Sequence, residues 1–204
     1  MIENRTPQGF KYVVFNKPFG VLCQFTDSEG RPTLAQYGAF PDDVYPVGRL
    51  DADSEGLVLL TKDGALKHLL LGPRYRHDRT YLVQVERIPS DTALERLRLG
   101  VTIERKKTRP AEIELLDREP DLPPRPVPVR FRKTVPTAWL KITLREGRNR
   151  QVRKMTAAVG HPTLRLIRIA IGPLALGDLK PGERRALSPE EVKELYRFAK
   201  KSSR

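Results

Sequence analysis

The chain of 204 residues carries 38 Lys and Arg against 25 Asp and Glu, a formal charge of +13, and is 39% hydrophobic. That is long enough to bury a core without disulfides or a structural metal, and too apolar to stay disordered. Apolar runs such as Leu57 to Leu60 fall far short of the about 20 residues that span a bilayer, Met1 to Phe10 holds no apolar signal core, and one cysteine, Cys23, with three histidines excludes an internal disulfide and a zinc-finger ligand set. A soluble basic protein of the reducing cytoplasm is expected, with no membrane partner and no metal.

In chain order, β-branched and aromatic alternation predicts strands over Tyr12 to Phe15, Leu57 to Thr61, Thr80 to Glu86, Ala111 to Leu116, Ala138 to Leu144 and Arg165 to Ile171. Helices are expected between some of them. Asp63 can cap a segment that ends at Gly72-Pro73, Asp91 precedes a helical pattern stopped by Gly100, and Asn149 precedes one stopped by Gly160. Ser188-Pro189-Glu190-Glu191 reads as a capping box with proline at the first helical position, followed by Val192, Leu195, Tyr196 and Ala199 at helical spacing. Strands and helices do not alternate regularly, which points to an α+β fold with a mixed or antiparallel sheet and away from a doubly wound nucleotide fold.

Two biases overlie that pattern. Residues 141 to 204 hold sixteen Lys or Arg against six Asp or Glu, so about a third of the chain carries most of the excess charge. Such a surface fits a polyanion, with nucleic acid ahead of an anionic membrane and simple solubilisation as the bland alternative. Seven of the eighteen prolines lie within residues 110 to 136, interleaved with Arg118, Arg125, Arg130, Arg132 and Lys133. Neither a helix nor a central strand tolerates that density. Residues 117 to 136 therefore read as an extended cationic connection between two structured parts, along RNA or as a passive spacer.

The loop Gly48-Arg49-Leu50-Asp51-x-Asp53-Ser54-Glu55-Gly56-Leu57, followed by Leu59-Leu60-Thr61, crowds three acids and an arginine ahead of an apolar strand. An aspartate in a tight turn most often bonds its own backbone. Here, however, the loop resembles the signature loop of the RNA pseudouridine synthases, in their RsuA-like branch. Three further stretches match that family in order: Asn16-Lys17-Pro18-x-Gly20, Arg79-Thr80-Tyr81-Leu82-Val83, and Glu146-Gly147-Arg148-Asn149-Arg150-Gln151-Val152-Arg153-Lys154-Met155. Together they cover about residues 11 to 172. The proline- and arginine-rich connection leading to Thr137-Ala138-Trp139 resembles the E type of the large-subunit ribosomal enzymes. The family's frequent N-terminal S4 module is not expected, since about ten residues precede the first strand.

What the resemblance implies is a single catalytic domain over residues 11 to 200, in two subdomains, with short tails at 1 to 10 and 201 to 204. Its fold would be a central mixed or antiparallel sheet flanked by helices, with an active-site cleft across the sheet. The implied activity is cofactor-free conversion of an rRNA uridine, in the large subunit by subtype, to pseudouridine by a monomeric enzyme. Asp51 would be the nucleophile or base, paired with Arg153, for which a phosphate contact is the other reading. Tyr81, a core tyrosine by pattern alone, would stack on the uracil, and Leu166 would line the pocket or simply pack the core. Arg49, two residues before Asp51, would stand beside the flipped nucleotide or pair with Asp53 or Glu55. Arg148, Asn149, Arg150 and Lys154, at a helix start, would hold RNA backbone. A non-catalytic RNA-binding or ribosome-assembly protein with the same basic face is the competing reading. An RNA methyltransferase is weaker, because no Gly-rich loop follows an early strand.

Overall fold

The computed structural model describes residues 11–72, 77–129 and 134–201, in which the longer apolar runs become strands; the described residues hold eleven strands, four α-helices and a single 3-10 turn at Leu34–Tyr37. The predicted Pro73 stop, Arg130, Arg132, Lys133 and the residue 1–10 tail lie outside the described residues. The chain divides into two compact units: residues 1–77 with 170–204, and residues 78–169.

In the first unit, β1 (Tyr12–Lys17) and β3 (Glu55–Thr61) pair antiparallel, Val13 opposite Leu60 and Lys17 opposite Gly56. Every residue of both strands is buried, which is why Leu57 to Leu60 shows no alternation: both faces are covered. β11 (Arg184–Ala186) adds to the other edge of β1, and β2 (Tyr45–Pro46) to β3. Val13, Phe15, Val21, Leu34, Leu50, Val58 and Leu60 form its core. Asp63 caps α1 (Gly64–Leu71) as expected, its side chain accepting from Leu66 N. At the far end of the chain α4 (Pro189–Lys201) packs on α1. The capping box is present, Glu191 N donating to Ser188 Oγ at 3.2 Å and Ser188 N to Glu191 Oε2 at 2.8 Å. Arg185 adds a two-pronged bond to the same carboxylate.

In the second unit, β4 (Arg79–Glu86) and β8 (Thr137–Leu144) pair antiparallel along their whole length, with β7 (Glu112–Leu115) on the other edge of β8. β9 (Thr163–Ile171) lies beside β4; its last two residues belong to the first unit, where they pair with β10 (Leu174–Ala175). Val83, Val85, Leu140, Ile142, Leu144 and Leu166 meet α2 (Asp91–Leu99) and α3 (Gln151–Ala158) through Leu94, Leu97, Val152 and Met155. Asp91 and Asn149 do precede the two helical patterns, Asp91 as the first residue of α2 after its cap Ser90, and Asn149 just before Arg150, which takes a left-handed conformation at the start of α3. Ser90 holds the extended conformation and accepts from Ala93 N, which leaves Asp91 to favour the helix dipole in the first turn. Between α2 and β7 the chain makes a two-stranded hairpin, β5 (Thr102–Ile103) and β6 (Lys106–Lys107), that periodicity did not announce because each strand is two residues long. The proline-rich connection joins β7 to β8, neighbours inside this one unit, whereas the chain passes between the units at residues 77–78 and 169–170.

Candidate active site

The first unit carries Arg49 and Asp51, both exposed, on the loop between β2 and β3. Leu50 between them is buried in the core, and Ser54 N donates to the Asp51 carbonyl at 3.0 Å, closing a tight turn. The Asn16-Lys17-Pro18-x-Gly20 stretch locks that turn from the other side. Gly20, at φ 82, donates its N–H to the Ala52 carbonyl at 2.7 Å. Lys17 is completely buried, and its ammonium donates to the carbonyls of Pro18 (2.8 Å), Val21 (2.7 Å) and Ala52 (3.4 Å), matching its three donors to three acceptors. Burial pushes the Lys17 ammonium down to about 8, against the pull of Cys23, Glu55, Asp53 and Asp51. Asp51 is thereby an exposed carboxylate on a rigid turn with a buried cation behind it, a fit arrangement for a nucleophile or base that must keep its direction.

The second unit carries the other candidates. Tyr81 sits half-buried on β4 opposite Ile142, packed against the core, so the pattern reading of its ring is met on that side. Arg79, two residues earlier, is held below the usual guanidinium range by burial, pulled back by Tyr81 and lowered further by Arg168. Arg165 and Arg168 are both buried on β9. This concentration of guanidinium groups was legible only as charges interrupting the apolar run Leu164 to Ile171, and Arg79, Arg168 and Lys17 had no role assigned from sequence. Arg153, on α3, donates to the Thr163 carbonyl at 3.3 Å, and Leu166 is a member of the core cluster. Packing thus accounts for the burial of Leu166.

Arg148 and Lys154 turn toward the hairpin. The Arg148 guanidinium donates to the carbonyls of Ile103 (2.7 Å) and Lys106 (3.0 Å), and Lys154 pairs with Glu104 while also donating to Asn149 Oδ1 at 3.2 Å. Asn149 and Arg150 remain exposed. The structure brings Arg148, Asn149, Arg150, Arg153 and Lys154 together around the start of α3, and Arg49 with Asp51 on one loop.

The first unit of this α+β chain thus carries a carboxylate on a braced turn, and the second carries a tyrosine strand and two buried arginines on β9, groups of the kind an enzyme acting on an anionic substrate employs. A family model described as RNA pseudouridylate synthase matches residues 11–158. The chain is 57% identical to the ribosomal large subunit pseudouridine synthase E of Xanthomonas axonopodis pv. citri, over 83% of this chain and 90% of that one. It is 38% identical to the ribosomal large subunit pseudouridine synthase B of Bacillus subtilis, over 92% and 72%. A solved pseudouridylate synthase superposes with a TM-score of 0.75 at 31% identity, covering 91% of this chain and 74% of that one. This chain belongs to the RNA pseudouridine synthase family.

Proposed function

We propose that this enzyme isomerises a uridine of large-subunit rRNA to pseudouridine, as a cytoplasmic monomer without a cofactor. The relatives at 57% and 52% identity are named for that ribosomal subunit, and the braced turn that holds Asp51 is the observation that carries the chemistry. In the reaction the bond from C1′ to N1 of uracil breaks, the base turns, a bond forms from C1′ to C5, and the C5 proton is lost while N1 is protonated. Product and substrate are isomers, so no oxidant, reductant or second substrate is consumed.

Asp51 acts as the nucleophile or base at the sugar and uracil, and Arg153 serves as its charge partner and directs it. Tyr81 stacks on the freed base so that it turns without escaping, next to the apolar Leu166. Flipping the uridine out of folded RNA costs a few kcal/mol in stacking and pairing, and Arg49 fills the vacancy with a planar cation. Arg148, Asn149, Arg150 and Lys154 support the RNA backbone at the start of α3, Arg148 and Lys154 doing so through the hairpin they hold.

D51N and D51A test the assignment. Both should abolish pseudouridine formation while binding rRNA within a few-fold of the unaltered enzyme; full activity in either overturns it. Mapping pseudouridines in rRNA from cells with and without the gene names the target uridine, and a change confined to other RNAs overturns the ribosomal reading. Light scattering with and without RNA should show one copy of the chain per particle.

A further inference from the structure

The β5–β6 hairpin turns through Glu104 and Arg105, with Ile103 opposite Lys106, and both central residues adopt positive φ, 50 and 63°. A two-residue turn of that kind strongly favours Asn-Gly or Asp-Gly, because a side chain at positive φ is strained. Glutamate and arginine are poor choices for the turn, so the side chains themselves must be useful. Glu104 explains itself: it pairs with Lys154, and Arg148 clamps the carbonyls at Ile103 and Lys106. At the base of the hairpin Thr108 exchanges bonds with Val101, its Oγ1 accepting from Val101 N at 3.0 Å. Arg109 N donates to Glu146, which also accepts from Gln151.

Arg105 has no such internal use. It is exposed, as are Lys106, Lys107 and Arg109, and among the described residues no hydrogen bond or ion pair engages those four side chains. Adjacent strand residues point to opposite faces, so the ribbon offers cations at its tip and on both sides. Lys107 also lines an open cleft of about 390 Å³ at the hairpin base, with Arg96, Leu99, Thr102 and Ala158. Leu99 in that cleft is 58% exposed. A cleft lined by the apolar Leu99, Val101 and Ala158 together with the cations Arg96 and Lys107 suits an unstacked base joined to its phosphates, which is how proteins commonly hold single-stranded RNA.

We propose that the rigid β5–β6 hairpin and the cleft beneath it form an RNA-docking surface for nucleotides other than the isomerised one. Arg105, Lys106 and Arg109 contact phosphates, and a splayed base lies on Leu99 between Arg96 and Lys107. This inference rests on the rRNA reading above.

R105G is the informative variant, since glycine suits positive φ while removing the charge. It should melt no lower than the unaltered enzyme, bind substrate RNA roughly three- to tenfold more weakly, and show a salt dependence shallower by about 0.7 in log affinity per tenfold salt. The loss should fall on KM, with kcat at saturating RNA maintained. R105K should bind normally, and R96Q/K107Q should weaken binding in the same direction as R105G. Affinity and salt slope unchanged in both R105G and R96Q/K107Q overturn the inference and leave the hairpin to solvent or a protein partner. A loss shared by R105K also overturns it, because shape rather than charge would then matter. Absence of pseudouridine formation by the unaltered enzyme would instead remove the parent reading.

Discussion

The ammonium of Lys17 reaches the carbonyl of Ala52, 3.4 Å away, the peptide immediately after Asp51. Two segments 35 residues apart are thereby joined by a buried cation, and the turn that presents the carboxylate inherits the rigidity of β1. Holding that charge in the interior is unfavourable, which is why the group is pushed down to about 8, from an ordinary value of 10.5. Between pH 8 and 10.5 the unfolded chain keeps a Lys17 proton that the folded one has released, so folding gains stability as pH rises through that window. Below pH 8 both states are protonated and the cost, roughly 3 kcal/mol, is fully present. K17M lacks the titrating group. Thermal melts at a series of pH values should show the unaltered protein gaining on K17M from pH 7.5 to 10; parallel curves would refute the account.

Tyr81 separates two contributions. Y81F keeps the ring and should bind RNA normally while losing about a hundredfold in turnover, if the hydroxyl assists proton removal at C5. Y81L also loses the stacking surface, worth about 1–3 kcal/mol per base, and should lose both affinity and turnover. Single-turnover kinetics with parallel binding measurements read the two apart, and normal turnover by Y81L would remove Tyr81 from the site.

Asp63 joins three elements of the first unit. Its carboxylate accepts from Tyr12 Oη at 2.8 Å, from Tyr196 Oη on α4, and from Leu66 N at the start of α1. Burial and the neighbouring carboxylate raise both phenols above their ordinary value, so they remain donors through the alkaline range. D63A should cost roughly 3 kcal/mol in urea denaturation, from the lost cap and two stranded hydroxyls, and Y196F about 1 kcal/mol. Pseudouridine formation by the folded fraction should be unchanged.

Gly100 is required twice. Its φ is 87°, and a Cβ there would stand 2.4 Å from the Thr108 carbonyl oxygen. G100A should lower stability by at least about 2 kcal/mol, because the obstructing atom is backbone that cannot rotate away. The denaturant midpoint checks this, and an unchanged midpoint would mean that the α2–hairpin junction yields more readily than its bonding suggests.

Much of the fold was legible from residue order. Ser188, Pro189 and Glu191 announce α4 because a capping box is satisfied within four residues, and Tyr81, Val83 and Val85 alternate because one face of β4 meets the core. The four motifs carried the family because each keeps its own residues in order. The hairpin at residues 102–107 escaped because its strands are too short for periodicity and its turn lacks the usual glycine.

Sequence by itself determined the longer strands and the four helices, the basic character and the family, all properties of neighbours along the chain. Tertiary structure alone decided that Lys17 would be buried behind the Asp51 turn and that residues 170–204 would return to complete the unit begun by β1. It also decided that Arg148 and Lys154 would be spent on holding a hairpin, leaving Arg105 outward. The physical reason is long-range pairing: a cation's role depends on which distant carbonyls and carboxylates surround it, as the place of β11 depends on the distant edge of β1, and only chain folding brings such partners within hydrogen-bond reach.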